Sequence, residues 1–110
     1  MYTDSHCHIT CDRLYSRIDE IIENIKAKNL TSCMIMCTSP EELERAKKVK
    51  EKYPFFKIAF GWFPSDAKEV TDKEIQYLID QTPCLDCLGE IGLDYYWDTS
   101  FNDLQKKLFI

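Results

Sequence analysis

Cys33-Met34-Ile35-Met36-Cys37-Thr38-Ser39-Pro40-Glu41-Glu42 joins a short apolar run directly to the opening of a helix. An apolar run without alternation is how a strand covered on both faces reads. Ser39 then has the chemistry of an N-cap, Pro40 suits the first helical position, and Glu42 stands where a capping box puts its acid. Leu43, Ala46 and Val49 repeat at helical spacing and make a buried stripe. Arg45, Lys47, Lys48 and Lys50 fall off that stripe and read as a solvated face. Tyr53-Pro54 ends the helix, because a residue before proline is pushed out of the helical region. A doubly covered strand leading straight into an amphipathic helix is one βα unit of a parallel sheet.

The same alternation extends both ways. Downstream, residues 55–61 read as a strand and 62–68 as a loop, and Thr71-Asp72-Lys73-Glu74 is a second capping box. It opens a helix on Ile75, Leu78 and Ile79, which Thr82-Pro83 breaks. Residues 85–92 form an apolar strand carrying Glu90, 93–100 an aromatic-rich loop, and 101–110 the start of a fourth helix. Upstream, residues 2–8 read as a first strand and 11–15 as a connection. Ser16 has the look of a cap, with Asp19 three residues on, and Ile18, Ile21, Ile22 and Ile25 make the apolar stripe. Asn29 is a fitting terminator. The order is β-α-β-α-β-α-β-α, with parallel strands expected near residues 2–8, 33–37, 56–61 and 87–91. An open doubly wound sheet and a (β/α)8 barrel both use this order. No glycine-rich loop follows the first strand, which counts against dinucleotide binding.

A chain of 110 residues is one small domain, and 45% hydrophobic content is enough for a packed core. The net charge of −5 excludes general sheathing of nucleic acid by a basic surface, but not a nucleic-acid substrate held through a metal ion. No apolar run approaches the roughly 20 residues that span a membrane, so no membrane partner is expected. The N-terminal MYTDSHCH lacks the basic and apolar regions of a signal peptide, which leads to the expectation of a cytoplasmic protein. Six cysteines without an export signal argue for free thiols rather than a disulfide framework. Cys33 and Cys37 fall in a buried strand, where cysteine is a small hydrophobe. Cys84-Leu85-Asp86-Cys87 has C-x-x-C spacing and leaves a zinc or redox module as a minor alternative.

The chemistry points to Asp4-Ser5-His6-Cys7-His8. These are the only histidines in the sequence, and in an extended chain residues i and i+2 face the same way. Two imidazoles so placed make half of a zinc or manganese site. In parallel α/β folds working residues gather at the C-terminal ends of strands, where Glu90 also falls. A carboxylate in an apolar strand is expensive to bury unless paired or metal-bound. Either a salt bridge or a metal role fits Glu90 taken alone.

Taken together, Asp4-Ser5-His6-Cys7-His8 and Gly89-Glu90-Ile91-Gly92-Leu93-Asp94-Tyr95 resemble the TatD family of metal-dependent deoxyribonucleases. Thr38-Ser39, Gly61 with Pro64, and Gln105 with Phe109 agree in order, so the resemblance runs the length of the chain. It implies the N-terminal half of a (β/α)8 TIM-type barrel, with residues 1–110 as one hydrolase domain incomplete at its C-terminal side. It implies one or two divalent metal ions (magnesium, manganese or zinc) and a DNA or nucleotide substrate cleaved at phosphoester bonds. His6 and His8 become ligands of the first metal, and Glu90 a catalytic ligand able to bridge two.

Two departures stand out. Phe63 occupies the place of a histidine that the family usually has in its G-x-H-P segment. The family barrel needs roughly 250 residues. The family's later ligands, two histidines and an aspartate, have no counterpart, since no histidine follows His8. Four strands cannot close a barrel, so open sheet edges and self-association through them are expected. A non-catalytic half-barrel that assembles with a partner chain is the alternative reading.

Overall fold

The computed structural model describes residues 1–110. Four strands, β1 (Tyr2–Cys7), β2 (Leu30–Cys37), β3 (Phe56–Phe60) and β4 (Cys87–Leu88), form one sheet in the order β1-β2-β3-β4. Every pairing is parallel. The helices α1 (Ile18–Ala27), α2 (Pro40–Lys52), α3 (Asp72–Gln81) and α4 (Asn102–Phe109) alternate with them. This is the expected half of a (β/α)8 barrel. No helix is long and apolar enough to cross a membrane.

The central strands form as their composition requires. Ile35, Cys37, Phe56, Ile58 and Phe60 are buried and meet Leu43, Ala46 and Val49 of α2 and Ile22 of α1 in one core. Ser39 Oγ accepts the Glu42 N–H at 3.2 Å, as an N-cap should. The Glu42 carboxylate reaches one residue further back than expected, taking the Thr38 N–H at 2.7 Å. At Thr71 the capping box is complete, with the Glu74 carboxylate accepting the Thr71 N–H at 3.0 Å. Asn29 adopts φ 56° beyond α1, a left-handed stop that asparagine tolerates. Its carbonyl then takes the Tyr2 N–H at 3.1 Å and aligns β1 with the start of β2.

Three local expectations change. Ser16 caps nothing: Tyr15–Arg17 form a 3-10 turn and α1 begins at Ile18 without a side-chain cap. Coiling already starts at Cys11, whose carbonyl accepts the N–H groups of Leu14 and Tyr15, so Ser16 lies inside a turn. The fourth strand shortens to two residues, although Asp86 N–H to Ile58 O and Gly89 N–H to Phe60 O flank it. Beyond Gly89 the chain crosses Gly61: a Cβ there would lie 2.9 Å from Glu90 O and 2.8 Å from Ile91 Cγ2. Only glycine permits that approach. The residues read as an apolar strand are also partly exposed, Leu88 at 49% and Ile91 at 43%, because β4 is an edge strand.

The basic face of α2 is tied down rather than free. Arg45 Nη1 donates to Thr10 O at 3.0 Å and to Asp12 at 2.7 Å, with its guanidinium over the Tyr15 ring. Lys50 pairs with Asp86 at 2.6 Å. These contacts lash α2 to the loop after His8 and to the start of β4.

Candidate metal centre

β1 and β2 do not pair evenly. Asp4 stands opposite Cys33 and Cys7 opposite Ile35, so three steps on β1 match two on β2. One extra residue is accommodated between them, a bulge that re-aims the strand just where the histidines lie. The Asp4 carboxylate bends over this segment and accepts the His6 N–H at 2.9 Å. His8 follows the last residue of β1, and Glu90 lies two residues beyond β4. The sheet thus brings the first and fourth strands' ends to one place.

There His6 Nε2 is 2.7 Å and His8 Nε2 3.8 Å from Glu90 Oε1, and the two imidazole nitrogens are 3.1 Å apart. These three are the one group of three or more histidine, cysteine or acidic side chains with ligand atoms gathered within 4.8 Å. The side chains of His6 and His8 are 50% and 41% exposed and that of Glu90 24%. All three sequence candidates therefore converge, although they come from opposite edges of the sheet.

The donor set suits a divalent cation. Two neutral imidazoles offer one lone pair each, and a carboxylate oxygen adds a negative charge. Two nitrogens on one tetrahedral zinc stand about 3.3 Å apart, close to the separation here. Two histidines with one glutamate is a catalytic zinc set, and the half-exposed imidazoles leave solvent access for a further ligand. Imidazole with carboxylate suits zinc or manganese better than magnesium, which prefers oxygen alone.

The thiols stand apart. Burial pushes the Cys7 thiol up to about 12, and its Sγ donates to Met34 O at 3.2 Å, so it stays protonated between the two histidines. Burial likewise pushes Cys37 up to about 12 and raises Cys33. Cys84 and Cys87 are exposed and lie outside the gathered group.

Gln105 has a role that the sequence did not disclose. Its side chain is buried, and its amide takes the Asp94 N–H through Oε1 and donates through Nε2 to Asp94 O, both at 2.8 Å. This fixes the segment after Glu90 onto α4. A glutamine inside an amphipathic helix gives no local sign of such a tie. Arg45 escaped notice similarly, since a basic residue off the apolar stripe reads as solvated.

Known proteins resemble this chain in sequence and in fold. The metal-dependent hydrolase YabD of Bacillus subtilis (strain 168), named as uncharacterised, is 31% identical over 99% of this chain and 44% of its own length. The similarly named MG009 of Mycoplasma genitalium is 35% identical over 98% of this chain and 43% of its own. Human deoxyribonuclease TATDN3 is 24% identical over 84% of this chain and 38% of its own. The crystal structure of YjjV, a TatD homolog from Escherichia coli K12, superposes with a TM-score of 0.80 over 98% of this chain and 43% of that one, at 21% identity. The chain therefore spans less than half the length of the relatives it matches. The family described as TatD related DNase matches residues 3–110, nearly the whole sequence, and the chain belongs to that family.

Proposed function

We propose that residues 1–110 supply the N-terminal half of a metal-dependent hydrolase that cuts phosphoester bonds in DNA or a nucleotide. The observation that carries the reading is the meeting of His6 Nε2, His8 Nε2 and Glu90 Oε1 within 4.8 Å. The relatives' names, metal-dependent hydrolase and deoxyribonuclease, support it.

In this reading His6, His8 and Glu90 would together hold one divalent cation, and the Glu90 carboxylate would also be available to a second. A cation held there would supply Lewis acidity toward a phosphoryl oxygen. The chain's own contribution is orientation. The bulge in β1 aims the histidines, Gly61 admits the Glu90 backbone, and Gln105 holds the segment behind it. Six free thiols suit a reducing compartment, which favours the cytoplasm.

Three ligands from strands one and four are a partial set for a two-metal phosphoesterase, and later βα loops would be needed to wall in the substrate. The 110-residue chain alone is therefore expected to show little cleavage of labelled DNA with magnesium, manganese or zinc. Robust turnover, lost in Glu90→Ala, would mean that the half-barrel builds a working site unaided. A second reading rests on β1 and β4, both unpaired edges. In it the chain is a non-catalytic half-barrel that associates with itself or a partner through them. Sedimentation of the purified chain separates the two, since a stable oligomer with no metal affinity favours the second.

A further inference from the structure

We propose that Asp4 is a positioning residue, whose carboxylate holds the bulge of β1 that turns the His6 imidazole toward Glu90. The inference rests on the metal reading above, and it concerns a residue outside the gathered ligands.

The pairing of β1 with β2 carries two irregularities. Tyr2 faces Leu30, Thr3 faces Ser32, Asp4 faces Cys33 and Cys7 faces Ile35. The partners' numbers differ by 28, then 29, then 28 again, so β2 takes an extra residue at Thr31 and β1 takes one back between Asp4 and Cys7. A bulge leaves an N–H without its ladder partner. The His6 N–H is donated instead to Asp4 Oδ1 at 2.9 Å. Without this acceptor the N–H must turn to water, and the extra residue, which the register on either side still requires, is free to take another course. Another course of the backbone there would swing the His6 side chain relative to His8 and separate Nε2 from Glu90 Oε1, now 2.7 Å apart. Asp4 thus acts on the ligand through its backbone, whereas most outer partners of metal-bound histidines act through the second ring nitrogen.

The test is zinc binding to the full 110-residue chain by calorimetry, beside thermal melting of the metal-free protein. Asp4→Ala should lower zinc affinity by about 10- to 100-fold, the usual scale for losing an outer-shell contact. Its metal-free melting should change little. Asp4→Asn, whose amide oxygen can take the same N–H, should keep most of the affinity. Wild-type affinity in Asp4→Ala overturns the proposal, as does equal loss in Ala and Asn, which would assign the effect to charge. Should Asp4→Ala not fold, amide exchange on the metal-free wild type decides: a protected His6 N–H supports the contact, and an unprotected one overturns it. A wild-type chain that takes up no zinc defeats the metal reading instead, and the exchange measurement still judges Asp4.

Discussion

Gln105 and Asp94 meet as a side chain and a stretch of backbone, joined by two hydrogen bonds of 2.8 Å that run in opposite directions. The amide thereby mimics a strand partner for a segment that has none. Gln105→Leu preserves bulk but strands the Asp94 N–H and C=O, each partly buried. Losing this pair should cost about 2 kcal/mol. In a domain of this size that is a fall in melting temperature of roughly 10 °C. A melting temperature equal to wild type would show that water replaces the amide without loss.

Asp86 anchors the start of β4. Its carboxylate accepts the Ile58 N–H at 2.9 Å and pairs with Lys50 at 2.6 Å. Burial opposes its ionisation, but the bonds from Lys50 and the Ile58 N–H prevail and hold it below the ordinary carboxylate range. A depressed folded value stabilises the fold above the unfolded value of about 3.9. That contribution is lost as pH falls through the lower folded value. Asp86→Ala should lower stability by about 1–3 kcal/mol at pH 7, since it leaves the Ile58 N–H unpaired. Urea midpoints should show the gap between mutant and wild type closing below pH 4.

Gly61 should tolerate no side chain. A Cβ would stand 2.8 Å from Ile91 Cγ2 and 2.9 Å from Glu90 O, and the backbone oxygen cannot yield without moving Glu90. Gly61→Ala is expected to destabilise by about 1–3 kcal/mol, the range for overpacking. It should also weaken zinc binding, because the displaced backbone carries Oε1 away from the imidazoles. Calorimetry on a folded Gly61→Ala variant checks this, and undiminished affinity would refute it.

Glu90 should matter to the metal-bound state far more than to the metal-free one. Zinc at one hundred times its dissociation constant should stabilise the wild type by about 2.7 kcal/mol. Chelation should remove that gain, and Glu90→Gln should gain much less at the same zinc concentration. Equal zinc-induced shifts in melting temperature for wild type and mutant would take Glu90 out of the ligand set.

How far the sequence could be read depended on the range of the interaction. The caps at Ser39 and Thr71 and the apolar run of β2 were legible because each acts within a few residues. The convergence of His6, His8 and Glu90 was legible only through the rule that parallel strands gather chemistry at one end, joined to a family resemblance. Ser16 misled because the cap pattern is local, while the coil had already begun at Cys11. The ties of Gln105 to Asp94 and of Arg45 to Thr10 were illegible, since they span 11 and 35 residues and follow no periodicity. The shortness of β4 was hidden likewise, because apolar composition does not record where the chain must cross Gly61.

The two slips between β1 and β2 cancel, which has a consequence for how the gene can change length. Tyr2 with Leu30 and Cys7 with Ile35 share one offset, so the irregularity is sealed within the pair and passes to neither end. A single-codon deletion at Ser5 or at Thr31 would leave one slip uncompensated and force the strand out of step. Deleting both codons together would restore an even ladder and spare the rest of the sheet. Asp4 would then become the immediate neighbour of His6, where its carboxylate cannot take that residue's N–H in the same way. Folding would survive the paired deletion while the aim of the histidine would not, so the fold answers to the matched lengths of two strands and the site to the spacing of Asp4 and His6 within one.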